Sequence, residues 1–129
     1  TLDVTHQGRE EDQPAMLAAY RAAGIEPVIA AYFADLPAEM ASSHIVIARS
    51  GASTVAELAV MGRPSILVPL PIATDDHQAD NAAALVEAGG AQMIRQPDFT
   101  PERLAQALTI WLADRQGLGT AASAARAAG

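Results

Sequence analysis

Residues 44–58 read HIVIARSGASTVAEL, and how that stretch divides decides the fold class. The run at 44–48 is apolar without alternation, the pattern of a parallel strand covered on both faces. Residues 53–61 carry a helical pattern that Gly62 closes, with a turn of small residues between strand and helix. The same succession returns downstream. Residues 65–68 read as a second buried strand, 69–76 as a loop, and 77–88 as a helix ending at Gly89-Gly90. Residues 91–94 are a last short strand. Thr100 then caps a helix with Pro101 at its first position and Leu104, Leu108, Trp111 and Leu112 on one face.

Upstream of the deciding stretch, residues 2–5 form a short β-type run and 6–12 a polar loop. A helix follows with Pro14 in its first turn, Met16, Leu17, Tyr20 and Ala23 on one face, and Gly24 as its stop. Residues 28–33 read as a strand and 37–41 as a short Ala-rich helix. Strand and helix therefore alternate five times. Such alternation predicts an α/β protein with a Rossmann-like, doubly wound parallel sheet and helices on both sides. Ligands in that class sit beyond the carboxyl ends of the strands, where loops enter helices.

Composition narrows the function. The 129 residues hold 8 Lys+Arg against 15 Asp+Glu, a net charge of −7, which argues against electrostatic binding to nucleic acid or anionic lipid. The absence of cysteine removes disulfides, thiolate zinc sites and cysteine nucleophiles together. With half its residues hydrophobic and 18% charged, the chain can bury a core of one domain. No apolar run approaches the ~20 residues of a membrane helix. The start at Thr1 on a strand, and the Ala-rich run GLGTAASAARAAG at 117–129 without a helix stop, suggest a piece cut from a longer protein at both ends.

Two loops could carry chemistry. In ARSGASTVAEL, at 48–58, Gly51 allows a tight turn and close approach of a ligand, and the helix start offers N–H groups and a positive dipole end to phosphate. Ser50, Ser53 and Thr54 add hydroxyls. The same residues also spell a capping box, in which Thr54 and Glu57 only satisfy backbone donors. Arg49 could neutralise phosphate or pair with a carboxylate. In PLPIATDDHQADNA, at 69–82, Asp75 or Asp76 can cap a helix whose first turns carry His77, Gln78 and Asn81. Those neutral groups both donate and accept, as a polyhydroxyl ligand requires, though the turn could equally be a solvated one. Asp75, Asp76, His77 and Asp80 could be read as metal ligands, but adjacent acids commonly serve a helix dipole. His6 and His44 read as hydrogen-bonded loop residues, and Phe33 as core or as a lid over a flat ring.

Taken together, ARSGASTVAEL, GRPSILVPLP and DDHQADNA, with THQG upstream and YFADLP between, resemble the C-terminal half of the MurG family. These are the UDP-N-acetylglucosamine:undecaprenyl-pyrophosphoryl-MurNAc-pentapeptide GlcNAc transferases of peptidoglycan synthesis, two-domain GT-B enzymes. The resemblance implies that residues 1–129 are the donor-binding domain of an inverting hexosyltransferase that turns lipid I into lipid II. It implies that Phe33 borders the nucleotide and the Ala34 backbone reads the uracil edge. The loop Ser50, Gly51, Ala52, Ser53 and Thr54 would receive the diphosphate, and Glu57 the ribose hydroxyls. His77, Gln78 and Asn81 would face the sugar, and Arg49 matches the family's arginine before the SGA loop. His77 stands where the family commonly has Gln, and Leu36-Pro37 replaces an acidic-apolar pair. The acceptor domain, which meets lipid I and the membrane, would be absent along with the general base. No catalytic residue is therefore expected in this chain, no metal or other cofactor, and no activity from these 129 residues alone. The intact protein would be peripheral, at the cytoplasmic face of the bacterial inner membrane. The alternatives are another GT-B UDP-sugar transferase and a non-catalytic nucleotide-sugar binding subunit.

Overall fold

The computed structural model describes residues 2–71 and 77–129. They fall into two compact units, residues 1–39 and 40–129. In the first, strands β1 (Thr5–Gln7) and β2 (Val28–Ala30) pair in parallel, with His6 opposite Ile29. Helix α1 (Gln13–Ala22) crosses between them, with proline in its opening turn where a missing N–H costs nothing. Gln13 Nε2 donates to the Gly8 carbonyl (3.0 Å) and Gln7 Nε2 to that of Ala31 (3.2 Å), so side chains continue the ladder past the strand ends. A Cβ on Gly8 would lie 2.6 Å from Met16 Sδ, so any other residue in this turn would need the end of the Met16 side chain to move aside.

Helix α2 (Leu36–Ala41) follows, its first turn capped by Asp35 Oδ1 accepting from Ala38 N–H (3.1 Å). The second unit contains a three-stranded parallel sheet in the order β3-β4-β5, made of Val46–Ala48, Ser65–Leu67 and Ala91–Met93. The central strand β4 decides the layering. Ser65, Ile66 and Leu67 are all 0% exposed, and alternate side chains point to opposite faces. Leu67 packs with Met40, Leu58, Leu85 and Ala125, on the face covered by α3 (Ala52–Met61) and α4 (His77–Ala88). Ile66 packs with Ile94, Ala107, Trp111 and Ala121, on the face covered by α5 (Pro101–Leu112). Helix α6 (Arg115–Ala128) contributes Ala121 to one core and Ala125 to the other. Helices on both faces of a parallel sheet are the predicted architecture.

Several details differ from the sequence expectation. The first strand lies at Thr5–Gln7 instead of 2–5, so His6 is a strand residue. The strand predicted at 44–48 shortens to Val46–Ala48 and leaves Ile47 45% exposed, because β3 is the edge of its three-stranded sheet. The 117–129 run is part of a helix capped by Asp114 Oδ1 accepting from Gly117 N–H (2.9 Å). No described helix is long and apolar enough to cross a membrane.

Helix α6 seats by close approach of small residues. A Cβ on Gly90 would lie 2.7 Å from Ala125 Cα and 2.9 Å from its N, so Gly90→Ala must push backbone away. We expect a loss of about 1–3 kcal/mol in denaturant unfolding. Gly119 on the same helix has nothing within 4 Å of its Cβ position, so Gly119→Ala should instead stabilise by about 0.4–1 kcal/mol. Equal stabilities for the two variants would show that α6 is not held at Gly90.

Candidate functional site

The loops at the carboxyl ends of β3 and β4 are joined by a closed set of hydrogen bonds. Ser50 is 0% exposed, and its Oγ donates to the Gln78 carbonyl at 2.6 Å. Asn81 Nδ2 returns the link by donating to the Ser50 carbonyl at 3.1 Å. Gln78 and Asn81 are three residues apart on α4, so one face of that helix reaches the β3 exit. Beyond β4 the chain runs Val68-Pro69-Leu70-Pro71, in which the prolines have no N–H to give. The Leu70 N–H is taken by Gln78 Oε1 at 2.8 Å. The carbonyls of Val68 and Pro69 accept from Arg49 Nη1 at 3.3 and 3.4 Å.

Helix α3 begins at Ala52, with Gly51 as its N-cap and no side-chain cap. By contrast, Thr100 caps α5 and Asp114 caps α6 with their own oxygens. The capping box expected from Thr54 to Glu57 does not form, because the helix starts early and leaves Thr54 as its third residue. Glu57 Oε1 accepts from Ser53 Oγ at 3.3 Å instead. The first helical bond is Val55 N–H to the Gly51 carbonyl (3.0 Å), so the N–H groups of Ala52, Ser53 and Thr54 precede the ladder. Gly51 has ordinary extended backbone, φ −62° and ψ 152°, so the tight turn expected there is not what needs a glycine. Among the described residues nothing lies within 4 Å of where its Cβ would be. No described residue therefore obstructs the helix start, which has three N–H groups and the positive dipole end behind it.

The remaining predicted residues are placed as follows. In the second unit Ser50, Arg49, Gln78 and Asn81 come together, next to the start of α3 that carries Gly51, Ala52, Ser53, Thr54 and Glu57. The hydroxyl expected from Ser50 as a ligand donor is buried and already bonded within the protein. Arg49 forms no ion pair among the described residues and meets main-chain carbonyls instead of a carboxylate. His77 is the exposed first residue of α4. Asp75 and Asp76 lie outside the described residues, among which no group of three potential metal ligands occurs. In the first unit, Phe33 is half-buried and Ala34 exposed in the segment after β2, which ends at Ala30 rather than 33. His6 Nδ1 meets the Tyr20 hydroxyl at 2.9 Å, and burial holds its pKa below the usual histidine value. Sequence reasoning missed Val68, Pro69 and Leu70. The signal was the pair of prolines, which strips this exit of donors and obliges side chains to hold it.

The family model for the glycosyltransferase family 28 C-terminal domain matches residues 1–129. The chain is 55% identical over 125 residues to the UDP-N-acetylglucosamine--N-acetylmuramyl-(pentapeptide) pyrophosphoryl-undecaprenol N-acetylglucosamine transferase of Granulibacter bethesdensis, covering 97% of this chain and 32% of that protein. The protein of the same name from Methylobacterium radiotolerans is 54% identical over 129 residues, covering 99% of this chain and 35% of its own length. Among solved structures, Acinetobacter baumannii MurG superposes with a TM-score of 0.87 at 36% identity, over 98% of this chain and 38% of that one. The chain thus spans about a third of the length of the curated relatives it matches.

The Ser50 bond can be tested by stability alone. In Ser50→Ala the Gln78 carbonyl keeps its acceptor role within α4, so the loss is that of one buried hydrogen bond, about 1 kcal/mol in denaturant unfolding. Ser53→Ala, on the exposed side of the same loop, should stay within about 0.5 kcal/mol of the parent. A silent Ser50→Ala would mean that the cross-link does not hold the loop.

Proposed function

The chain belongs to the family of glycosyltransferase family 28 C-terminal domains, and from that premise we propose that it binds UDP-GlcNAc within a longer inverting transferase. That enzyme transfers GlcNAc to lipid I, giving lipid II in peptidoglycan synthesis, as a peripheral protein at the cytoplasmic face of the bacterial inner membrane. The observation that carries this reading is the start of α3 at Gly51, without a side-chain cap and with no described residue within 4 Å of the Gly51 Cβ position. It lies on ARSGASTVAEL, the longest stretch of the family resemblance.

In this reading the diphosphate sits on the N–H groups of Ala52, Ser53 and Thr54, and Gly51 lets it come close. As the glycosidic bond to UDP breaks, negative charge grows on the leaving diphosphate. A fixed set of donors at a helix start stabilises that charge without reorganising, and the reading needs no metal. The Glu57 carboxylate accepts from the ribose hydroxyls. His77, Gln78 and Asn81 face the sugar; Gln78 Nε2 is the part of that side chain left for a ligand, since its oxygen holds Leu70. The acceptor and the general base belong to the remainder of the longer protein.

Two substitutions in the full-length enzyme test this. Glu57→Gln should weaken use of UDP-GlcNAc by roughly 10- to 100-fold, the loss of a charge-assisted pair, while the thermal midpoint holds. Gly51→Val puts its Cβ where no described residue lies within 4 Å and keeps ordinary extended backbone angles, so folding should survive while both UDP and UDP-GlcNAc bind more weakly. Unchanged donor use by both variants would remove the nucleotide from α3. A sugar panel addresses the donor itself: equal use of UDP-glucose or UDP-galactose would assign the chain to another transferase.

A further inference from the structure

We propose that Arg49 is a positioning residue of the donor site, which holds the β4 exit in place for Gln78 instead of binding phosphate itself. This rests on the reading of the site as one for UDP-GlcNAc.

The case starts from what the exit lacks. A parallel strand ends with its carbonyls and N–H groups pointing sideways, and the last ladder bond here is Val68 N–H to the Ala48 carbonyl at 2.9 Å. From Pro69 to Pro71 only Leu70 carries an N–H. The segment is therefore held from two sides by side chains. Arg49, on the neighbouring strand's exit, takes the carbonyls of Val68 and Pro69, and Gln78, on α4, takes the N–H of Leu70. Ser50, the residue after Arg49, is bonded to the Gln78 carbonyl and to Asn81. The circuit thus closes: Arg49 and Ser50 on one strand exit, Val68 to Leu70 on the next, Gln78 and Asn81 on the helix.

Its consequence concerns Gln78. A glutamine amide can be turned about its last torsion, which exchanges donor and acceptor at nearly equal shape. The Leu70 N–H fixes that choice, because only the oxygen can accept it. The amide nitrogen is then the end presented to a ligand, as a donor aimed at a sugar hydroxyl oxygen. Without Arg49 the Val68-Pro69-Leu70 segment loses the donor to its carbonyls, and the Leu70 N–H no longer sets the amide. A guanidinium suits this task because its single Nη1 carries two N–H groups, enough to serve both neighbouring carbonyls.

The test uses the full-length protein that carries this chain, with UDP and UDP-GlcNAc as probes and hydrogen exchange read at the Leu70 amide. For Arg49→Met, UDP-GlcNAc affinity should fall about 10- to 100-fold, as for a misplaced contact, while UDP affinity changes less than about twofold. The Leu70 amide should exchange faster. Arg49→Lys, which can still donate to the carbonyls, should recover much of the UDP-GlcNAc affinity and keeps the test open if Arg49→Met fails to fold. Equal losses for UDP and UDP-GlcNAc with Leu70 exchange unchanged would overturn the proposal and make Arg49 a phosphate ligand. If the parent protein binds neither probe while Arg49→Met still speeds Leu70 exchange, the brace stands and only the donor reading falls.

Discussion

A parallel sheet leaves one obligation unmet: at its carboxyl edge the ladder stops, and the chain must turn into helices with polar backbone exposed. In this protein the obligation is met by the buried Ser50 hydroxyl on the Gln78 carbonyl, 2.6 Å, and the return bond from Asn81. Two side-chain bonds tie the β3 exit to the start of α4, so two loops far apart in sequence behave as one surface. Everything proposed for ligand binding depends on that. A helix start can meet a diphosphate, and a second helix start can meet a sugar, only if the distance between them is fixed before the ligand arrives.

The sheet beneath explains why the helices start where they do. β4 is buried on every residue, with Ile66 on one face and Leu67 on the other, so helices must cover both sides. Their N-termini then gather at the carboxyl edge. The crossovers end tightly: α3 stops at Gly62 in the left-handed region, φ 65°, and the Gly62 N–H donates back to the carbonyls of Leu58 and Ala59. Small residues allow the layer to close, most visibly where Gly90 meets Ala125. The price in side-chain burial is low, since much of this contact is backbone against methyl.

Much of the architecture was legible in the sequence because strands here are short apolar runs between glycine and proline stops. The alternation of strand and helix, the Thr100 cap and the Gly62 stop all stand in the structure. What was not legible has a physical cause in each case. The helix over Arg115–Ala128 is hard to read because its buried residues are the small Ala121 and Ala125 and its average apolarity is low, yet methyl groups suffice where backbones approach closely. β1 slid by a few residues because its side chains are exposed on both faces, so the pattern there carries no register. The family resemblance was legible because it rests on contiguous stretches at the strand-to-helix junctions, and the matching family model spans residues 1–129.

The site shows the limit of motif reading most clearly. Thr54-Val55-Ala56-Glu57 satisfies the capping-box pattern, but the pattern fixes only a spacing of three, not where the helix begins. Since α3 begins at Ala52, a cap at Thr54 would require two residues already in helical conformation to leave it. The box is therefore displaced, and its glutamate becomes an ordinary side chain on the second turn, within reach of Ser53. Gly51 follows the same logic in reverse. Its backbone angles suit any residue and its Cβ would meet none of the described residues, so neither conformation nor packing against them requires glycine at that point. What a glycine does there is leave room for an approaching group, and the N–H groups of Ala52, Ser53 and Thr54 behind it favour a negatively charged one.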